Sequence, residues 1–495
     1  MAQMFSTGGG AARRFTRTSR SAAVLIALGT LFTSCSIHAP DVHLVSGQGG
    51  VVEGEVAPGE ATGGAGTTSE GGATGEAAAG VSGADAKRCV GQATQTGVTG
   101  DTIKLGATFA LSGPVSNISG PILKGVQAYF NKTNAEGGIH GRKISLKWYD
   151  DGWDAQRGKG YIKRLVENDK VFALSVVPSS NGLDAAKSYL EQRRMPVFGT
   201  SGLIESQFES PMQWPVGVST KSSARIALVD MKRRKAQNLA VIWLDLLAGR
   251  QAMEAFRNSS RSIIGKAPED FLVNTNGYRV SISEPDFGPV WARIIDDTKR
   301  WQRDHGETAT GRPDYVAFAI DPTNAIKALQ AAENIGFRPK LAWGGAAPLF
   351  LDIVPQGSNY AARTGLLAGS SYYPPIGKYL QRAAVKEYVA TVRKYFGDDV
   401  DLKNPYLEGG YAGAAMTVEV LKRAGPCLTR ERAIKIADSL TNFSAAGLTP
   451  PLTFRTPGNG SGHYGNVRAL TVRVNDDSDW VVERDFVTDP TPGKN

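Results

Sequence analysis

The residues of this 495-residue chain singled out by type and place for proton-transfer or metal chemistry are its five histidines and the acid pair at a candidate strand end, Asp150-Asp151. The histidines are scattered at His38, His43, His140, His305 and His463. None stands at metal-ligand spacing from a cysteine or a second histidine. Asp150-Asp151 ends a candidate strand, where a turn or helix-cap role competes with a metal or acid–base one. No G-x-S-x-G elbow, no Walker A loop and no G-x-G-x-x-G after a strand is present. The chain therefore reads as a non-enzyme with no catalytic residue, no cofactor and no metal. Hydroxyls and one acid also stand at candidate strand ends: Ser112, Ser179, Ser180, Thr200, Ser201 and Asp321. Each has an ordinary structural use. Ser112 suits a turn, Ser179 and Ser180 suit N-caps, and Asp321-Pro322 is an N-cap followed by a first-turn proline.

The elements that must position these groups alternate in type. Ile103, Leu105, Ala107 and Phe109 recur at strand period, and Ser112-Gly113-Pro114 stops that strand. From Pro121, the residues Ile122, Val126, Tyr129 and Phe130 recur at helical spacing. Gly137-Gly138 ends the helix, and Ile144, Leu146 and Trp148 start a strand. A strand feeding a helix aims backbone N–H groups and the positive end of the helix dipole at the loop between them. The loop Leu111 to Gly120 is thus a candidate ligand wall. Further strands are expected at Val171–Val177, Pro196–Gly199, Leu239–Leu244, Tyr315–Ile320, Leu341–Trp343 and Leu366–Ser370. Helices are expected at Ala155–Asn168, Leu183–Gln192, Ser222–Arg234, Phe287–Trp301, Lys378–Tyr395, Tyr406–Arg423 and Arg430–Leu440. Leu470–Val487 alternates like antiparallel strand. Repeated βα units imply α/β architecture with parallel sheets, and the count suits two lobes better than one sheet.

The net charge is +9, yet the only dense basic run is Lys232-Arg233-Arg234-Lys235. It reads as a solvated helix end or, less simply, as a phosphate patch; no nucleic-acid partner is expected. At the N-terminus, Arg13, Arg14, Arg17 and Arg20 precede an apolar run of about ten residues, Ala22 to Leu31, too short to span a bilayer. Phe32-Thr33-Ser34-Cys35 follows and resembles the bacterial lipoprotein signal, with Cys35 as the lipid anchor. Plain secretion and an uncleaved anchor are the alternatives. Residues 36–88 are rich in Gly, Ala, Ser, Thr and Glu and cannot bury enough apolar surface to fold, which suggests a tether reaching roughly 40 Å. An exported chain can keep a disulfide, and Cys89 with Cys427 is the expected pair; two free thiols are the alternative.

LSGP after the first strand, N-x-x-GGI-x-GRK-I at the following turn and the YDD after it resemble the leucine/isoleucine/valine-binding group of extracellular solute-binding proteins. The resemblance runs from about Val98 to Phe486. It implies two Rossmann-like lobes joined by a three-strand hinge, a small-molecule ligand trapped between them, and an ABC permease in the membrane as partner. It also implies that Ser179, Thr200 and Ser201 meet the ligand, with Ser112, Ser180 and Asp321 beside them. The family's aromatic contact falls near Ile118 and its second-lobe tyrosine on Ala248, before Gly249. Its ammonium acceptor falls near Gly345-Ala346, where no carboxylate stands; Asp321 is the substitute. The ligand is thus an amino acid or a related amide or carboxylate, with Trp153, Trp343, Tyr372 and Tyr373 as a possible apolar wall. The expected organisation is a signal peptide at 1–34, a tether at 35–88, lobe 1 at 89–219 and 373–443, lobe 2 at 220–372, and hinge-crossing strands and tail at 444–495. The chain is expected to be a monomer, exported and held on the outer face of the cell membrane through Cys35. A sensing or accessory lipoprotein of the same fold is the rival reading.

Overall fold

The computed structural model describes residues 53–56, 89–344, 351–454 and 462–493; the Cys35 region and Gly345-Ala346 lie outside them. Glu53–Val56 (β1), Thr102–Phe109 (β2), Lys143–Asp150 (β3), Ala173–Ser175 (β4), Val197–Thr200 (β5) and Gln213–Pro215 (β6) build one sheet in the order β1-β3-β2-β4-β5-β6. All pairings from β3 to β6 are parallel, with Thr102 opposite Lys143 and Phe109 opposite Asp150. Helices Ser116–Ala135 (α1), Ala155–Glu167 (α2) and Ser180–Gln192 (α3) connect the strands. Most of β2 is buried on both sides, Gly106 and Thr108 included, because helices cover both faces of a parallel sheet.

Two sequence expectations need correction here. The first helix starts at Ser116, so it takes in half of the supposed ligand-wall loop and carries Pro121 inside it. Pro121 comes early enough that only one helical hydrogen bond is forfeited, the one to the Asn117 carbonyl. The tether reading does not hold at Glu53–Val56, whose backbone pairs antiparallel with β3, from Glu53 opposite Tyr149 to Val56 opposite Leu146. An edge strand leaves a row of N–H and C=O groups unpaired, and the Glu53–Val56 backbone takes up part of that row on β3.

After the short helix Glu205–Glu209 (α4), the second lobe opens with the helix Thr220–Arg233 (α5). Leu239–Leu244 (β7), Tyr278–Val280 (β8), Tyr315–Ala319 (β9) and Ala342–Gly344 (β10) form a parallel sheet in the order β10-β9-β7-β8. Leu247–Ser259 (α6), Gly288–Asp304 (α7) and Pro322–Asn334 (α8) pack on it. The sequence reading missed α6 and β8: a glycine interrupts the pattern of one, and the other is three residues long. Trp343 is fully buried against Phe318, Trp291 and Tyr360, with ring centroids 5.9, 5.5 and 5.8 Å away. It belongs to the core, and the wall role suggested for it falls away. Tyr373 likewise packs on Phe486 and under Arg382.

After helices Ile353–Gly357 (α9) and Asn359–Thr364 (α10), Leu367–Ser370 (β11) pairs antiparallel with Arg468–Val474 (β12), which pairs antiparallel with Trp480–Thr488 (β13). Between β11 and β12 the chain returns to the first lobe as Ala383–Phe396 (α11), Pro405–Ala424 (α12) and Arg430–Ser439 (α13). The chain thus passes between lobes three times, around 216–219, 371–382 and 462–467. One side chain joins all three passages: Asn466 Nδ2 donates to the carbonyls of Val216 (3.0 Å) and Ser371 (3.3 Å). Far from the hinge, Cys89 and Cys427 are disulfide-bonded, as expected for an exported chain. The basic run on α5 is neither free nor a phosphate patch at its centre. Arg233 and Arg234 both bond Asp230, and Arg234 also reaches Glu483 at 2.7 Å.

Candidate functional site

In parallel sheets ligands bind beyond the carboxyl ends of the strands. Here the ends of β3 and β5 in the first lobe face those of β7 and β9 in the second, and two adjoining cavities lie between. The larger has an empty volume of about 1200 Å³ and the smaller about 790 Å³, both partly open to solvent. Ile118, Trp153, Leu203, Thr220 and Tyr406 line both. Trp153 follows β3 with a positive φ of 66°, and its backbone N–H donates to Asp151 Oδ1 (2.9 Å). That turn swings the indole out of the sheet into the cleft. The acid pair therefore builds a turn: Asp150 Oδ1 accepts from the backbone N–H of Leu111 (2.9 Å) and of Gly152 (3.0 Å). Among the described residues no group of His, Cys, Asp and Glu is arranged to hold a metal ion.

The structure separates the hydroxyls that the sequence grouped. Ser201 and Ser180 line the cavities, Ser201 the larger and Ser180 the smaller. Their neighbours Thr200 and Ser179 are fully buried and line neither cavity, and the Thr200 hydroxyl has no hydrogen-bond partner. Ser179 stands with Thr108 beside the Asp151 carboxyl. Burial pushes that carboxyl above the usual range, and the two hydroxyls oppose the shift. Ser112 is exposed near Gly152, outside both linings. Asp321 lines the smaller cavity and caps α8 at once: Oδ1 accepts from Asn324 N (3.1 Å) and Oδ2 from Asn324 Nδ2 (2.7 Å). Ala248 and Gly249 line the same cavity. Tyr372 lines the larger one and closes against Gly409 of α12.

Sequence reading missed Thr220 and Tyr406. Thr220 is only 8% exposed, opens α5, lines both cavities, and its hydroxyl is without a partner. Ser219 caps that helix by accepting from Ser222 N (3.1 Å), so Thr220 is left to face the cleft. The S-T-K-S pattern could have signalled an N-terminus there. The lining is mostly aliphatic, aromatic and hydroxyl-bearing. Asp230 and Asp321 are the only charged side chains among its described residues. Contacts also span the cleft: Asn117 Nδ2 to Thr323 Oγ1 (3.4 Å), Glu205 N to Gln251 Oε1 (3.1 Å), and Lys403 to Asp352 (2.8 Å).

Behind Tyr372, Glu408 of α12 is fully buried and neither carboxylate oxygen has a partner. Burial holds its carboxyl well above the ordinary value of 4.5. The folded chain thus keeps this proton to a higher pH than the unfolded chain does. Its stabilising effect is complete below about pH 4.5 and is lost as pH rises towards the raised folded value. Glu408→Gln, which stays neutral, should melt with the wild type near pH 4 and above it at pH 8. Melting curves at both pH values check this, and parallel curves would mean that water reaches the carboxylate.

The three crossings and the cleft between two parallel sheets define a two-lobed, hinged α/β binding protein. The chain belongs to the periplasmic binding protein family, whose sequence pattern matches residues 102–478. The leucine-specific-binding protein of Salmonella typhimurium is 26% identical over 168 residues, which cover 30% of this chain and 45% of that one. The chain thus matches under half the length of that curated relative. Among solved structures, a fatty acid ABC transporter substrate-binding protein from Thermomonospora curvata superposes with a TM-score of 0.65 at 17% identity, covering 82% of this chain and 98% of that one. A solute-binding protein of an ABC transporter from Rhodopseudomonas palustris, in complex with 3,4-dihydroxybenzoic acid, gives 0.64 at 19% identity, covering 79% and 99%. Among the described residues no helix is long and apolar enough to cross a membrane.

Proposed function

We propose that this protein captures a small organic solute in the interlobe cleft and delivers it to an ABC-type permease. The solute has an apolar body and one small hydrogen-bonding end. The observation that carries this reading is that two adjoining, largely apolar cavities between the lobes share the unpartnered Thr220 hydroxyl, with Ser201 lining the larger and Ser180 the smaller. A free amino acid fits less well. Its ammonium would face only Asp321, whose oxygens already serve Asn324. Of the similar structures, one is named for fatty acid and one holds 3,4-dihydroxybenzoic acid, which supports an amphipathic solute, whereas the curated relative is named for leucine. Capture proceeds by rotation about the three crossings, which brings the lobe surfaces around the solute. The protein acts as a monomer tethered to the outer face of the membrane by a lipidated Cys35. Membrane fractionation of wild type and Cys35→Ser tests the anchor: equal partitioning would reject it.

Native mass spectrometry of purified protein, followed by calorimetry with amino acids, amides and small organic acids, tests the ligand class. Binding of an organic acid with no turnover is expected. Thr220→Val keeps the shape and removes the hydroxyl, and should weaken binding by about 1–3 kcal/mol. Unchanged affinity would remove Thr220 from the site, and a panel with no binder would sink the transport reading.

A further inference from the structure

The larger cavity does not end at the cleft. It continues along α5, whose Thr220, Ser223, Ala227 and Asp230 form one face of the helix, and reaches Tyr315 at the start of β9. Tyr315 lies at the amino end of its strand, the end away from the cleft. The opposite wall is β11, where Gly369 is the residue with most room. Ten residues of helix make this extension about 15 Å long, enough for an unbranched chain of about ten carbons. Protein interiors are close-packed, so a cavity that reaches from the cleft to Tyr315 calls for an occupant. Ser223, Ala227, Ala368, Gly369 and Ala469, all with short side chains or none, line this part of the cavity, and its aromatic rings are Trp153, Tyr372, Tyr406 and Tyr315.

We propose that this passage is a subsite for a straight aliphatic chain, its carboxylate head held at the Thr220 end of α5. This rests on the solute-binding reading above and names its ligand class. The head position follows from two observations. Thr220 is more than nine-tenths buried with an unpartnered hydroxyl, and it opens a fourteen-residue helix whose positive end favours an anion. The far end offers no second head site, because both Asp230 carboxylate oxygens already hold Arg233 and Arg234. The chain therefore points head to cleft and tail to Tyr315.

The test is calorimetric titration of the full chain with sodium hexanoate, octanoate, decanoate and tetradecanoate. Affinity should rise about fourfold per added methylene up to about ten carbons and then level off. Gly369→Val adds bulk where the nearest atom to a new Cβ is 3.9 Å away, so the fold should tolerate it. The variant should leave hexanoate binding unchanged and lower decanoate affinity at least tenfold. Ala227→Leu, from the facing wall, gives the same split should the first variant fail to fold. Affinity independent of chain length, or equal losses for hexanoate and decanoate, would overturn the subsite. Should no carboxylate bind while another solute of the panel does, the subsite fails and the transport reading stands. Should nothing bind at all, both fail.

Discussion

Asp489→Ala is expected to lower the unfolding free energy by about 3–5 kcal/mol, read as a shifted midpoint in urea with an unchanged slope. Asp489 follows β13 and is 1% exposed; Arg225 of α5 is 2% exposed. The guanidinium meets the carboxylate through Nε at 3.0 Å and Nη2 at 2.8 Å, and Ser222 Oγ donates to the same carboxylate at 2.5 Å. Removing Asp489 takes from the buried guanidinium the carboxylate that meets it, which costs far more than the pair itself contributes. The location gives the loss a functional side. The pair fastens the last strand of the chain to α5, the helix that lines the cleft and the proposed passage, and Asp489 N also donates to Val467 O at the third crossing (2.7 Å). Solute affinity should therefore fall with stability. Arg225→Met with Asp489→Leu, which removes both charges, should recover most of the stability. A single variant as stable as wild type would show that water enters the pair.

Reducing the Cys89–Cys427 bond is expected to cost up to roughly 5 kcal/mol in the chain-entropy account, because the bond closes a loop of more than three hundred residues. The loss should fall short of that bound because a second clamp holds the same place. Arg142, 1% exposed, donates to the carbonyls of Thr99 (2.9 Å), Pro426 (3.0 Å), Cys89 (2.6 Å) and Gln92 (2.9 Å). This explains the arginine in the G-R-K turn, which sequence reading used only as a family mark. Thermal melts of the double Cys89→Ser, Cys427→Ser variant, alone and with Arg142→Met, check the account. The Arg142 substitution should cost more without the disulfide than with it. Strict additivity would mean that the two act independently. Neither change touches the cleft, so solute affinity in the folded protein should hold.

What the sequence determined by itself was everything that rests on neighbours along the chain. Alternation and helical spacing marked the strands and helices that order the α/β class, and the Asp321-Pro322 pair predicted the cap that Asn324 N completes. Export signals and cysteine count pointed to the disulfide. Misplaced boundaries, such as Pro121 taken as a helix start, arose because proline is over-represented in a helix's first turn, whereas this helix begins five residues earlier. The edge strand at Glu53–Val56 was illegible because its partner lies some ninety residues away.

Only the tertiary structure decided which hydroxyls line a cavity. Ser179 and Ser180 are adjacent, as are Thr200 and Ser201, yet one of each pair lines a cavity and the other is sealed in the lobe. The physical reason is that where a strand gives way to a loop or helix, successive side chains point in different directions. Which one faces the cleft depends on how the next helix packs. The passage behind the cleft is a still clearer case. Small residues on α5, β11 and β12 are unremarkable in their own segments, and space opens only where the three are brought face to face.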